Sequence, residues 1–231
     1  MERCGAGEQD RKGWGEQGMA RAGITVVRLT EAAAAMADEV GLEKVTVSAL
    51  ARHFGVKDAS LYSHVRNLRE LRVRIALLAS DEMTERIAAA VAGRAGRDAL
   101  VAFADAYRDY ALARPGRYAA TQMQLTPEEV AGSAGFRRSV ELTYGMLRAY
   151  GLQEPDLTDA GRLLRSTFHG YVHLELVGGF GNARPVRESW ARSLDALHGL
   201  LEAWPAGGGR PGTRKGAEAA EAAEEEEQGN P

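Results

Sequence analysis

Apolar residues recur at three- and four-residue spacing from Thr25 to Trp204, and nowhere in that span do they alternate as strand residues must. A chain patterned in this way has to bury helix stripes against helix stripes, so the expected fold class is all-α. The longest stripe is the last: Val186, Trp190, Leu194, Leu197, Leu201 and Trp204 follow one another at spacings of 4, 4, 3, 4 and 3. Such a seam is suited to packing against another helix, and its two tryptophans are expected at a dimer contact.

Caps and breakers set the expected limits of the other helices. The first runs from about Thr25 to Val40, with Leu29, Ala33, Met36 and Val40 on one face and Gly41 as its stop. Thr46 is a fitting N-cap for a short helix Val47–Phe54, which Gly55 ends. A third short helix is expected from Asp58 to His64. A long fourth one starts near Leu68 and carries Leu71, Ile75, Leu78, Met83, Ile87 and Val91. Gly93-Arg94-Ala95-Gly96 interrupts the pattern and is expected to mark a boundary between domains. Beyond it come a helix through Leu100, Phe103, Tyr107 and Ala111, a short one near Tyr118–Leu125, and a start signal at Thr126-Pro127. Three more are expected over Phe136–Tyr150, Leu157–Val177 and Val186–Trp204. Residues 1–20 and 205–231, rich in Gly, charge and small side chains, are expected to be disordered.

Composition narrows the function classes less than the pattern does. The net charge is −3, but Arg21–Arg74 holds nine Lys/Arg against six Asp/Glu, while Pro205–Pro231 holds three against six. A modestly basic N-terminal region is compatible with a phosphate surface, because a few Lys/Arg contacts release counterions from DNA. No apolar run approaches the ~20 residues needed to span a bilayer. The first twenty residues carry charges and glycines where a signal peptide would need an apolar stretch. With Cys4 as the single cysteine, no internal disulfide can form, and the expectation is a cytoplasmic protein with no membrane association.

The stretch Thr46–Val65 carries the functional reading. Two short helices crossing at a tight turn need a small residue at closest approach, a glycine in the turn and apolar filling between them. Ala51, Gly55, Val56 and Leu61 meet these demands at fitting offsets. The third helix then offers Asp58, Ser60, Tyr62 and His64 among small neighbours, the slim polar face that a helix entering the major groove requires. Tyr62 and His64 suit phosphate contact through hydroxyl and ring N–H groups. Asp58 is repelled by phosphate, and suits a cytosine amino group or the helix dipole.

Residues 24–72 resemble the DNA-binding domain of the TetR family. The resemblance rests on Gly41, Val45-Thr46-Val47, Leu50-Ala51, Gly55-Val56, Leu61-Tyr62-Ser63-His64-Val65 and Leu71. It implies an N-terminal three-helix helix-turn-helix domain (residues 21–67), followed by a helical bundle (68–204) that binds a small-molecule effector and joins a homodimer through its last two helices. It also implies a palindromic double-stranded DNA operator, with repression as the default output. Ser48, Asp58, Ala59, Ser60, Tyr62 and His64 match family DNA contacts, and Thr46, Lys57 and Arg66 complete the expected set. One departure concerns Leu68, where many members carry a phosphate-binding lysine; either Arg66 or Arg69 substitutes for it, or the contact is absent. In the second domain, Arg114-Pro115-Gly116-Arg117-Tyr118, Thr167–Val172 and Gly178–Gly181 resemble a C-terminal subtype named for a Trp-His-Gly motif, with Phe168 in the Trp position.

The effector site is expected among Phe103, Tyr107, Tyr144, Phe168 and His169, since effector cavities combine apolar walls with a few polar groups. His169 and His173 share a helix face at i and i+4, but no HExxH pattern or cysteine accompanies them and Glu175 lies elsewhere on the wheel. A hydrogen-bonded histidine is therefore expected there, with no metal and no cofactor. No phosphate loop, nucleophile elbow or paired carboxylates suggest catalysis. An α-helical enzyme and a DNA-binding adaptor without effector are the alternatives to a ligand-responsive regulator.

Overall fold

The computed structural model describes residues 23–205, so the N-terminal segment and all but Pro205 of the acidic tail lie outside the described residues. The elements are α1 (Val26–Val40), a 3-10 turn (Leu42–Lys44), α2 (Val47–Phe54), α3 (Asp58–Leu61), α4 (Leu68–Val91) and α5 (Gly96–Ala113). They continue with α6 (Pro115–Thr121), α7 (Pro127–Val130), α8 (Ala134–Arg148), α9 (Asp156–Leu176) and α10 (Val186–Glu202). There is no strand among the described residues, and the expected all-α class holds.

Helix starts follow the caps. Thr25, Thr46, Asn67, Thr126 and Ser133 each accept a backbone N–H of their own first turn, a contact worth about 1 kcal/mol. At Thr126 the arrangement is reciprocal, because Glu129 returns its carboxylate to the Thr126 N–H at 2.9 Å. α5 ends at Ala113, before Pro115, and that proline then occupies the first position of α6, where its missing N–H costs nothing. The third helix is shorter than the pattern suggests. It closes after Leu61, and Ser63 turns its hydroxyl back onto the Ser60 carbonyl at 2.7 Å.

Two cores are threaded by one helix. Leu71, Ile75 and Ala76 of α4 pack with α1, α2 and Leu61, whereas Ala79, Met83 and Ile87 pack with α5, α9 and α10. The glycine-rich break before Gly96, expected to mark a domain boundary, instead turns the chain between neighbours whose residues Ile87 and Leu100 share one core. The seam of α10 also faces inward. Trp190, Leu194, Leu197 and Leu201 are all buried within the chain, and Trp190 donates Nε1–H to Asp105 at 2.8 Å. The periodicity identified a buried face, but Trp190 spends it on its own chain rather than on a second copy. No described helix is long and apolar enough to cross a membrane.

Candidate nucleic-acid interface and effector region

The turn between α2 and α3 fixes the DNA-facing candidates. Gly55 takes the left-handed backbone (φ 66°, ψ 31°). It donates to the Arg52 carbonyl, while Val56 donates to that of Ala51, the paired bonds of a Schellman end. Ala51 is buried at the crossing, and Leu61 and Val65 anchor the far side. With the apolar residues drawn inward, Thr46, Ser48, Lys57, Asp58, Ala59, Ser60 and Tyr62 are left exposed, and His64 is half-buried. Tyr62 is 54% exposed, unusual for a large aromatic and sufficient to reach a partner.

Two charged candidates already have partners within the chain. The Ser48 hydroxyl donates to Asp58 Oδ2, a bond that ties α2 to α3 and occupies one oxygen of the carboxylate. Arg66 uses its backbone N–H (2.8 Å) and its Nε (3.1 Å) on Glu70 Oε2, although its side chain remains 88% exposed. The Arg66 amide, then Arg74, hold the Glu70 carboxyl down to about 2. Leu68 packs onto the N-terminal core, which accounts for its apolar character. Arg69, the other substitute for a phosphate-binding lysine, is turned toward Glu129 (3.0 Å) and the Gln124 carbonyl (3.2 Å).

Three of the effector candidates are in direct ring contact. Phe103, Tyr107 and Phe168 are buried and pack ring against ring, at 6.1 Å for Phe103–Phe168 and 5.9 Å for Tyr107–Phe168. His169 stands at their edge, with Nδ1 2.7 Å from the Tyr118 hydroxyl. Tyr144 is partly buried against the same core, its hydroxyl 3.4 Å from that of Thr158. It lines an open cavity of about 510 Å³ together with Arg148, Gln153, Glu154 and Leu157.

The structure also joins residues that spacing alone could not pair. Arg108 and Glu175, on α5 and α9, form a buried ion pair, with Arg108 Nε at 2.8 Å from Oε2. Arg117 holds Asp38 of α1 through its backbone N–H at 2.9 Å, and Glu82 of α4 through its guanidinium at 3.1 Å. Its Nε stands 3.3 Å from Asp38 Oδ2 without hydrogen-bond alignment. Beside it, a Cβ on Gly116 would lie 2.0 Å from the Ala37 carbonyl carbon, so only glycine lets α6 approach α1 so closely.

Known proteins share both halves. Residues 29–75 match the model of bacterial regulatory proteins of the tetR family, and residues 100–197 match that of a tetracyclin repressor-like C-terminal domain. An uncharacterized HTH-type transcriptional regulator of Mycobacterium tuberculosis is 34% identical over 75% of this chain and 80% of its own length. Among solved structures, BioQ with its natural double-stranded DNA operator aligns at a TM-score of 0.57 and 21% identity, covering 78% of this chain and 99% of BioQ. A TetR variant from Acinetobacter baumannii in complex with minocycline aligns at 0.60 and 21%, covering 80% of this chain and 100% of that one.

Proposed function

The chain belongs to the TetR family of bacterial regulators, and from that premise we propose that it is a ligand-responsive repressor that binds a palindromic operator as a homodimer. The observation that carries this reading is the exposed row Ser48, Lys57, Ala59, Ser60 and Tyr62 on a turn held by buried Leu50, Ala51, Leu61 and Val65. In a dimer, two such rows about 34–36 Å apart would enter successive major grooves on one side of the duplex. BioQ, of the same fold, is bound to an operator in its own structure. Exposed Leu174 on α9, Val177 just after it and Leu200 on α10 supply apolar surface for a second copy.

Effector control requires a ligand that prefers one arrangement of the two halves over the other. Besides α4, which runs through both cores, a route between them is α6, where Gly116 and Arg117 grip α1 and the adjoining Tyr118 reaches His169 on α9. A second tie runs from Arg69 at the start of α4 to Glu129 on α7. A shift of α6 would therefore be felt at α1 before it reached α2 or α3. The close packing of Phe103, Tyr107 and Phe168 favours the alternative, an adaptor without an effector, unless binding opens that cluster. Fluorescence anisotropy on DNA flanking the gene, against scrambled DNA across a salt series, tests the regulator reading. A preference of ~10³-fold or more is expected for the flanking DNA. Equal, steeply salt-dependent affinity for both would reduce the protein to a non-specific binder.

A further inference from the structure

The hydrogen-bond chain behind His169 fixes what that residue can offer a ligand. Tyr107 and Tyr118 hydroxyls are 2.9 Å apart, and Tyr118 continues to His169 Nδ1 at 2.7 Å. If Tyr107 donates to Tyr118, and Tyr118 to Nδ1, every proton in the chain has an acceptor. Run the other way, the proton of buried Tyr107 would have no acceptor among the described residues, a cost the forward direction avoids. Nδ1 is then the acceptor and Nε2 carries the hydrogen, polarised by the two phenols behind it. An imidazole in this tautomer presents a donor outward and lacks the Nε2 lone pair a metal ion would need.

The neighbours of His169 suit the same purpose. Arg165 and His173 lie one turn before and one turn after it on α9, each about 6 Å away along the axis. The His169 and His173 rings are near-parallel, with centroids 5.9 Å apart. Arg165 is exposed and has no ion pair among the described residues, and the His173 nitrogens have no hydrogen-bond partner among them. Burial raises both phenols, partly offset by the nearby Arg165 charge. Burial first, then the neighbouring His173 and Arg165, lowers His169 and so disfavours its charged form. One unpaired guanidinium, one outward imidazole N–H and one uncommitted imidazole thus share a helix face, and an arginine so close disfavours a cation.

We propose that Arg165, His169 and His173, backed by Tyr118, bind an anionic ligand group, a carboxylate or a phosphate, on the flank of α9. As an anion site it stands on this geometry alone; as the effector site of a regulator it rests on the function proposed above. The ligand's charge would pull on His169, and Tyr118 would pass that pull to α6, next to the Gly116–Ala37 contact.

Histidine 1H–15N NMR of the full chain, titrated separately with acetate, inorganic phosphate and zinc, tests the proposal. His169 is expected as the Nε2–H tautomer, moved by acetate or phosphate, and the responsive anion identifies the ligand class. Arg165→Gln, an exposed change that leaves folding intact, is expected to weaken the response roughly tenfold or more. Tyr118→Phe should release the fixed tautomer. A His169 Nδ1–H tautomer, no response to either anion, an equal response in Arg165→Gln, or zinc held at His169 and His173 would each overturn the site. Operator binding measured on the same samples separates the two readings. Specific DNA binding without an anion response sinks this site alone, and an anion response without specific DNA binding sinks the regulator reading alone.

Discussion

The two halves of the molecule spend their polar residues in opposite ways. Around α2 and α3 the core is aliphatic and small, from Leu29, Ala33 and Ala37 to Leu50, Ala51 and Leu61, and the polar side chains are turned out. Around α5, α6 and α9 the core is threaded with polar contacts: Arg108–Glu175, Trp190–Asp105, Tyr107–Tyr118–His169 and Arg117 between Asp38 and Glu82. Aliphatic packing is non-directional and holds a single rigid shape. Hydrogen-bonded ion pairs are directional, and breaking one partner leaves the other stranded, so such a core favours discrete arrangements over small adjustments. The contrast suits one half that presents a fixed surface and another that changes state.

The contrast is most sharply broken at Arg108. Arg108→Met would strand a largely buried Glu175 and is expected to cost about 3–5 kcal/mol in denaturant unfolding, with much of the loss recovered by adding Glu175→Leu. If the single change proved neutral, the ion pair would have no role in holding α5 to α9. Gly116→Ala drives a methyl into the α1 backbone, and a loss of about 1–3 kcal/mol is expected. Thermal melts would show it, and a change in operator affinity should accompany it if α6 positions α1. In the rigid half, Gly55→Ala places a side chain at φ 66°, with an expected cost of about 1 kcal/mol. The smallest effect is acid-dependent. Because the folded Glu70 carboxyl is held near 2, below its ordinary 4.5, its contribution is full above pH 4.5 and fades as pH falls toward 2. Glu70→Gln should flatten the acid limb over that range, and an unchanged limb would mean that its partners do not hold it in solution.

What the sequence revealed depended on how local the physics was. The limits of α2 could be read directly because Thr46 and Gly55 each act within one turn of their own position. The sequence pattern overextends the third helix because Tyr62, Ser63 and His64 permit helix, while Ser63 bonding back to Ser60 is a choice made in the fold. Periodicity marked the face of Trp190 as buried but carries no information about what buries it. Spacing within a helix does not give the register between helices, so it could not show that Tyr144 packs at the margin of the core that Phe103 and Phe168 fill. Arg108 and Glu175 are 67 residues apart, and Arg117 and Asp38 are 79 apart. No local pattern connects partners at that range. The motif Arg114–Tyr118 was visible only as a resemblance, although each of its last three residues has its own contact.

The most direct test of the account is operator affinity of Tyr62→Ala and His64→Ala, measured across a salt series beside thermal melts of the same samples. Each variant is expected to lose roughly tenfold or more in affinity, with a shallower salt slope where a phosphate contact is removed. The exposed Tyr62 change should leave melting nearly unmoved. Affinity and slope unchanged in both variants would contradict the central claim, because the surface that meets DNA would then lie elsewhere.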